Sequence, residues 1–504
     1  MVRVEVPAGS GHPKSTHPGS GQELGRTLLS AWCDHWESQR DRPVLIDGAD
    51  ATTHLNGGLM LRATAEAAAS LAAHGVAPGD RVLWSCGASL RTIGGLLGAM
   101  RLGAVVVPVS PSSTRSELTY IIGDARPSAA MVERDEQEEW ISSVDGEVTV
   151  VRADGRGEAD HMDAGPTLDR ALPGDDALIV YTSGTTGKAK GAVHTHRSLL
   201  AGVHALRLAW EWGPEDRLIL ALPLFHVHGL CAGLFGTLTA GASAVVFTRF
   251  LEDQVLDAVP GSTMFFGVPT MYHRLAETGR AGELSALRLC VSGSAPLAAD
   301  LWKRLNDDGV PVLERYGMTE TLLTLSNPLI GERRPGSVGV PLPGVEAAIE
   351  GTDQEGVGEL VVRGPSVCRG YWDRPDATRD MFADGWFATG DLVSVDADGY
   401  VSIRGRTTEL IISGGHNVYP AEVEAILARH PSVAEVAVVG VPSAEWGESV
   451  VAFVVGAGGD PDVAALRALA AEELAPFKRP REFNVRGALP RNAMGKVVRR
   501  ALQE

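Results

Sequence analysis

The sequence YTSGTTGKAKG at residues 181–191 joins an apolar run to a loop of glycine, serine and threonine that carries two lysines. The preceding run ALIV, at 177–180, is typical of a buried strand, which would lead directly into this loop. Glycines let backbone N–H groups approach an anion closely, hydroxyl groups add donors, and a lysine adds positive charge. The chain has only six lysines, and two of them lie here. The stretch predicts a phosphate-binding loop after a strand, although its composition also suits a solvated turn.

This loop differs from the Walker type. Gly184 and Gly187 are separated by two residues only, and Ala189 stands where the Walker loop has Ser or Thr after its lysine. Around it, helical and strand patterns alternate: residues 59–74 are Ala-rich and end at a glycine, and short apolar runs follow at 81–86 and 104–109. Such alternation predicts mainly parallel sheets covered by helices, the α/β class.

The pattern changes near Gly405. Residues 356–401 are rich in Val, Gly and Asp and predict the hairpins of a β subdomain, while the last hundred residues have a small α+β pattern. We therefore expect a flexible leader at 1–22, a large N-terminal domain at 23–407 and a small, mobile α+β C-terminal domain at 408–504. The leader is rich in Gly, Pro and Ser and lacks the apolar centre of a signal peptide.

The composition disfavours several classes of protein. The 504 residues carry 45 Lys and Arg against 63 Asp and Glu, a net charge of −18, which disfavours nucleic acid or an anionic membrane as a partner. The five cysteines form no C-x-x-C pair, so a zinc site or disulfide framework is disfavoured and a cytoplasmic location is expected. Residues 218–248 are uncharged, but Pro223 and several glycines and histidines favour buried elements around a pocket over a membrane span.

Further motifs follow the loop in a fixed order: PLFHVHG at 223–229, SGSAP at 292–296, YGMTE at 316–320, TGD at 389–391, GR at 405–406, GGHNVYP at 414–420 and PRNAMGK at 490–496. With the loop, they resemble the signature of the adenylate-forming enzymes, which include acyl-CoA synthetases, adenylation domains and firefly-type luciferases. That family usually has Pro where Ala189 stands. The resemblance covers about residues 181–496.

The resemblance implies a site for Mg-ATP, with Glu320 and Thr185 holding Mg²⁺ and Thr319 donating to the α-phosphate. Tyr316 would stack on adenine, Asp391 would accept from the ribose hydroxyls, and Arg406 would be a second ribose or phosphate contact. Lys496 would bridge the substrate carboxylate and the α-phosphate, and His226 would gate the acid pocket. The nucleotide-binding residues implied are Thr182, Ser183, Gly184, Thr185, Thr186, Gly187, Lys188, Gly293, Ser294, Ala295, Tyr316, Thr319, Asp391 and Arg406.

The implied chemistry has two steps, in which the carboxylate attacks the α-phosphorus of ATP and a thiol then displaces AMP. Coenzyme A is the expected thiol, passing along Gly414, Gly415 and His416. The family rotates its C-terminal domain about a hinge residue between the steps. This hinge is normally Asp or Lys, and the matching residue is Thr408.

Two residues bear on the identity of the acid. In related enzymes the residue before the tyrosine of YGMTE faces the acyl pocket, and here it is Arg315; His228 lines the same pocket. An arginine can bind a carboxylate through two parallel hydrogen bonds, and the local motifs resemble malonyl-CoA synthetases, including those that accept methylmalonate. We therefore expect a small dicarboxylic acid. Two other interpretations stay open, namely that Arg315 pairs with Glu314 or another internal acid and that His228 is a satisfied core histidine.

Other activities also stay open. They are a monocarboxylate or aryl acid–CoA ligase and a free-standing adenylation enzyme that loads a carrier protein. The sequence leaves the preference between malonate and methylmalonate open, and it leaves the oligomeric state open as well.

Overall fold

The computed structural model describes residues 1–5, 25–153, 170–182, 189–443, 445–491 and 497–503. Its two largest sheets have seven and nine strands and are mainly parallel. In spatial order the seven-stranded sheet contains Gly370–Tyr371, Lys190–Thr195, Asp176–Thr182, Val105–Pro108, Arg81–Ser85, Ala129–Val132 and Thr149–Arg152. The nine-stranded sheet contains Val340–Pro341, Leu322–Ser326, Val312–Met318, Leu289–Ser292, Met264–Gly267, Arg217–Leu220, Ser243–Val246, Pro43–Asp47 and His54–Asn56.

Helices pack on both sheets. They are Leu28–Ser38, Gly57–Ala73, Leu90–Leu102, Arg115–Ala125, Asp135–Val144, His196–Ala209, Gly236–Thr239, Glu252–Asp257, Pro269–Glu277 and Ala299–Asp307, with a π-helix at His228–Phe235 and a 3₁₀ helix at Ala281–Ala286. One hydrophobic cluster joins the two sheets, and it includes Trp32, Trp84, Trp210 and Phe266. The expected β-α-β alternation is thereby confirmed.

A third sheet forms the expected β subdomain, and it is antiparallel. Its strands are Val2–Arg3, Glu346–Glu350, Gly358–Arg363, Phe382–Ala383, Trp386–Val395 and Val401–Arg406, and the short helix Pro375–Met381 lies beside it. Val2 and Arg3 pair with Ile349 and Ala348, and Val4 is buried. The expectation of a flexible leader is therefore wrong for these first residues, because backbone pairing and the burial of Val4 hold them at a sheet edge.

The C-terminal unit has the expected α+β composition. Its strands are Ile411–Ser413, His416–Val418, Val433–Ser443, Gly447–Gly456 and Glu482–Val485, and its helices are Pro420–Leu427, Val463–Glu473 and Arg500–Gln503, with a 3₁₀ helix at Pro476–Lys478. Thr408 lies exposed in a 3₁₀ helix, Thr407–Glu409, directly after the last strand of the third sheet. The boundary at 407/408 remains a prediction.

The C-terminal unit contacts the third sheet through a polar cluster. The Tyr419 hydroxyl donates to Oδ2 of Asp353 at 2.5 Å, and Asn417 Nδ2 lies 3.3 Å from the same oxygen. Lys478 Nζ lies 3.0 Å from Glu422 and 3.4 Å from Glu355. These contacts fix the orientation of the two units in this structure.

The uncharged stretch at 218–248 folds into strands, the π-helix and a short helix. Among the described residues, no helix combines the length and the apolar character needed to cross a bilayer.

Candidate active site

Strand Val312–Met318 places Glu314 and Arg315 on opposite faces of the nine-stranded sheet, because successive side chains of a strand alternate. The Glu314 carboxylate accepts hydrogen bonds from the backbone N–H groups of Leu297 and Gly336, at 3.2 and 3.0 Å. Arg315 therefore does not pair with Glu314.

The guanidinium of Arg315 is buried, with 5% of the residue exposed. Its Nε and Nη2 atoms find no hydrogen-bond partner among the described residues. Burial lowers the pKa of Arg315 to about 9, so the group is still a cation at neutral pH. A buried cation without a counterion is costly, and this arrangement is suited to an anionic ligand.

His228 opens the π-helix His228–Phe235 and is equally buried. Both of its ring nitrogens lack a hydrogen-bond partner within the described part of the chain, so it is not a satisfied core histidine. Burial, reinforced by the charges of Arg315 and His226, holds the pKa of His228 well below its usual value. A neutral imidazole beside Arg315 can donate one further hydrogen bond to an anion.

The π-helix packs closely at two glycines, against the strand Arg217–Leu220 and against the segment that follows this strand. A Cβ at Gly229 would lie 2.3 Å from the carbonyl oxygen of Pro223, and one at Gly233 would lie 2.8 Å from Leu220. π-helical turns are frequent at functional sites. Here the close packing fixes the position of His228, and His226 lies half-buried two residues before it.

Three predicted nucleotide contacts meet at the edge of the third sheet. The Tyr316 hydroxyl donates to Oδ2 of Asp391 at 2.5 Å, and Arg406 Nε lies 2.9 Å from the other carboxylate oxygen. Asp391 is held from both sides, with its carboxylate almost fully buried. The structure thus brings together three residues that are far apart in the sequence.

The Thr319–Glu320 turn lies next to this group. Glu320 is buried, which raises the pKa of its carboxyl group, and Tyr371 donates to its Oε1 atom at 2.8 Å. His194 Nε2 lies 2.7 Å from the carbonyl oxygen of Thr319. Neither neighbour is predicted from the sequence, where the local signals are the aromatic pair after Gly370 and the two histidines at 194 and 196.

Among the described residues, no cluster of three or more acidic, His or Cys side chains could hold a metal ion. Mg²⁺ in nucleotide sites is commonly held by one or two carboxylates together with substrate phosphates and water. A single buried carboxylate such as Glu320 is therefore compatible with Mg²⁺ that arrives with ATP.

Only part of the predicted phosphate loop lies within the described residues. Thr182 ends the strand Asp176–Thr182, and Lys190–Thr195 returns antiparallel to it. The predicted residues outside the described part of the chain are Ser183, Gly184, Thr185, Thr186, Gly187, Lys188 and Lys496.

The SGSAP motif follows strand Leu289–Ser292. Gly293 is buried beneath Arg315, whereas Ser294 and Ala295 are exposed, and Ser294 has a left-handed backbone with φ of 73°. A Cβ at Gly293 would lie 2.4 Å from Arg315 Cζ. This motif thus borders both the predicted adenine position and the predicted acid pocket.

The glycines predicted to line the CoA path also have a conformational role. Gly414 and Gly415 form a two-residue hairpin loop with φ of 59° and 77°, a geometry that strongly favours glycine. His416 stacks on Phe477 with ring centroids 4.5 Å apart.

The comparisons with known proteins agree with this geometry. The model of the family "AMP-binding enzyme" matches residues 33–372, and that of its C-terminal domain matches residues 422–496. The chain therefore belongs to the AMP-binding enzyme family, and it is an ATP-dependent acyl-CoA ligase, an acid–thiol ligase of that family.

Individual relatives differ in the acid that their names record. The chain is 38% identical to the mitochondrial malonate–CoA ligase of Bos taurus over 477 residues, which cover 84% of this chain and 81% of the relative. It is 37% identical to a sulfoacetate–CoA ligase of Cupriavidus necator, with 91% and 94% covered. It is 36% identical to a feruloyl-CoA synthase of an Amycolatopsis species, with 89% and 94% covered.

Two solved structures are especially informative. ATP-bound MatB from Rhodopseudomonas palustris superposes with a TM-score of 0.86 at 36% identity, covering 95% of this chain and 98% of that one. A malonyl-CoA ligase in a ternary product complex with methylmalonyl-CoA and AMP has a TM-score of 0.64 at 41% identity, covering 90% and 97%.

Proposed function

We propose that this protein ligates malonate or methylmalonate to coenzyme A through an acyl-adenylate, using Mg-ATP and releasing AMP and pyrophosphate. The observation that carries this proposal is the buried guanidinium of Arg315, whose Nε and Nη2 atoms have no hydrogen-bond partner among the described residues. A monocarboxylate would leave that charge unpaired. A dicarboxylate can present one carboxylate to the nucleotide and the other to Arg315.

The geometry of the donors supports a carboxylate in this position. Nε and Nη2 lie on one edge of the guanidinium, where a planar carboxylate can accept two parallel hydrogen bonds. His228 adds a neutral donor at the same place. The malonate–CoA ligase among the relatives is consistent with this assignment.

The nucleotide would be held at the group formed by Tyr316, Asp391 and Arg406, because these side chains converge where the nine-stranded sheet meets the third sheet. Gly293, Ser294 and Ala295 would border the adenine, and Thr319 would donate to the α-phosphate. Breaking the contact between Tyr316 and Asp391 would free a carboxylate oxygen for ribose.

Glu320, with Thr185 from the phosphate loop, would hold Mg²⁺ and would thereby orient the phosphates. Mg²⁺ supplies charge stabilisation on the phosphate oxygens during displacement of pyrophosphate. His226 would border the reacting carboxylate, and Lys496 would stabilise the charge that develops on the α-phosphate. CoA would reach the adenylate past Gly414, Gly415 and His416, after rotation about Thr408.

We propose a cytoplasmic location for this activity. The cysteines support it, since Cys33, Cys86, Cys231, Cys290 and Cys368 are all present as thiols rather than disulfides.

The test is pyrophosphate release by the purified full chain with Mg-ATP and CoA, comparing malonate, methylmalonate, sulfoacetate, acetate and ferulate. Malonate or methylmalonate should give the highest kcat/KM. Arg315→Met should lower that value roughly 100- to 5,000-fold, because removing one partner of a buried charge pair costs about 3–5 kcal/mol. Arg304→Met, which removes an exposed arginine paired with Glu277, is the matched control.

Sulfoacetate as the best substrate would retain Arg315 as an anion site but would replace the second carboxylate with a sulfonate. Ferulate or acetate as the best substrate, with no effect of Arg315→Met, would overturn the proposal. Transfer to a carrier protein in place of CoA would indicate the adenylation-enzyme alternative.

A further inference from the structure

The Thr319–Glu320 turn belongs to the nine-stranded sheet, but its polar groups are bonded to the edge of the other large sheet. The backbone N–H of Cys368 donates to the Glu320 carbonyl oxygen at 2.7 Å, and the Tyr371 hydroxyl donates to the Glu320 side chain at 2.8 Å. His194 makes the third contact, to the carbonyl oxygen of Thr319.

The two side-chain contacts come from two strands that pair with each other, and Cys368 lies two residues before one of them. Gly370 and Tyr371 pair antiparallel with Val193 and Ala192, in the strand whose first two residues end the phosphate-loop motif. Lys190, at the start of that strand, lies with its Nζ 5.2 Å from the centroid of the Tyr371 ring. The segment that leaves the phosphate loop is therefore connected to Glu320 through Tyr371.

The Tyr371 hydroxyl occupies only one carboxylate oxygen, Oε1. In metal sites, hydrogen bonds from neighbouring groups fix the orientation of a ligating carboxylate, and their loss weakens metal binding. A buried carboxylate held at one oxygen presents the other in a defined direction.

We propose that Tyr371 is a positioning residue that orients the Glu320 carboxylate for the divalent cation of the nucleotide complex. This inference rests on the proposed role of Glu320 as a metal ligand. Tyr371 acts through Glu320 and does not touch the acid. Its loss should change the requirement for metal, while substrate selection at Arg315 stays the same.

The test variant is Tyr371→Phe, which removes only the hydroxyl and keeps the ring against Lys190. The control is Tyr400→Phe, because the Tyr400 hydroxyl donates at 2.8 Å to the Glu332 carbonyl oxygen and has no contact with Glu320. Mn²⁺ binding to each protein with α,β-methylene-ATP is measured by electron paramagnetic resonance, a readout that does not depend on turnover or on the acid.

We expect Mn²⁺ affinity to fall about tenfold in Tyr371→Phe, within the range found for residues that support metal ligands. Tyr400→Phe should bind like the parent chain. In turnover, Tyr371→Phe should raise the Mg²⁺ concentration for half-maximal rate at saturating ATP, with KM for malonate unchanged. A purely structural role would lower kcat and the melting temperature without moving the Mg²⁺ curve.

The variant Glu320→Gln distinguishes the metal-binding role of Glu320 from the positioning role of Tyr371. If Glu320→Gln weakens Mn²⁺ binding and Tyr371→Phe does not, the positioning role is wrong and the metal role of Glu320 stands. If neither variant changes Mn²⁺ binding, both the metal role and this inference fail.

Discussion

The guanidinium of Arg315 lies directly over the α-carbon of Gly293, so that a Cβ added there would fall 2.4 Å from Cζ. The backbone of Gly293 does not have a positive φ. Glycine is therefore required by the neighbouring side chain and not by backbone conformation. The SGSAP and YGMTE motifs are thus matched to each other at the proposed acid pocket.

Gly293→Ala should displace Arg315 and lower kcat/KM for malonate more than for acetate. The displaced atoms are the end of a flexible side chain, so we expect a fold with nearly normal thermal stability. Gly123→Ala is the matched control, because a Cβ there meets nothing within 4 Å. An unchanged malonate-to-acetate ratio would show that Arg315 does not select the acid.

Arg315→Met should stabilise the ligand-free protein while removing its response to malonate. Replacing buried charge by apolar volume is often stabilising, by roughly 1–4 kcal/mol. Thermal shift assays should show a higher melting temperature for the variant. Malonate at 100 times its Kd should add about 2.7 kcal/mol to the parent chain only.

Arg101→Met provides the opposite case. Arg101 is also buried, and its Nε likewise has no partner among the described residues, but its Nη1 donates to Leu61 and Thr64 at 2.9 Å. Its replacement should lower the melting temperature. A lower melting temperature for both Arg315→Met and Arg101→Met would contradict the proposal that Arg315 binds an anionic ligand.

The buried histidines predict how stability depends on pH. Burial lowers the pKa of His194 and of His196 to about 4, against 6.5 for an ordinary histidine. Between pH 6.5 and 4 the unfolded chain thus binds more protons, so the free energy of unfolding falls as pH falls. Each histidine contributes about 1.4 kcal/mol per pH unit in that window.

His196→Leu should reduce this slope by about 1.4 kcal/mol per pH unit, because neither ring nitrogen of His196 has a partner within the described residues. Urea unfolding at several pH values between 4 and 6.5 measures the slope. His273→Leu, at an exposed position, should leave it unchanged. Equal slopes for all three proteins would show that His196 is protonated when folded.

The contact between Tyr419 and Asp353 predicts an effect on one half-reaction. Burial alone would raise the pKa of Asp353, but hydrogen bonds led by that from Tyr419 hold the pKa below its ordinary value. The chain superposes better on the ATP-bound relative than on the product complex, although the latter is closer in sequence. We therefore expect this contact to stabilise the arrangement used for adenylation.

Tyr419→Phe should slow acyl-adenylate formation about three- to tenfold, the effect of losing a hydrogen bond to a charged group that is partly replaced by water. Thioester formation from a supplied acyl-adenylate should not be slowed. Single-turnover measurements of the two steps provide the test, with Tyr400→Phe as control. Equal slowing of both steps would contradict the assignment.

The sequence predicted much of this architecture, because glycine stops and apolar runs mark the helix Gly57–Ala73 and the strands Arg81–Ser85 and Val105–Pro108 closely. The resemblance also predicts that Arg315 and His228 line one acid pocket, and that assignment stays a prediction. The sequence could not predict that Glu314 bonds to Leu297 and Gly336, since that depends on the path of distant loops. For the same reason the contacts of Tyr371 and His194 with the Thr319–Glu320 turn could not be predicted.

Nε and Nη2 of Arg315 have no partner among the described residues, and this should make the evolutionary loss of its proposed substrate class easier than the gain of that class. Loss of this arginine abandons one substrate class and relieves an uncompensated charge in the same step. Gain of a buried arginine would lower the stability of the folded protein until a ligand that pairs with it became available. We therefore expect such ligases to change from dicarboxylates to acids with an uncharged tail more readily than from those acids to dicarboxylates.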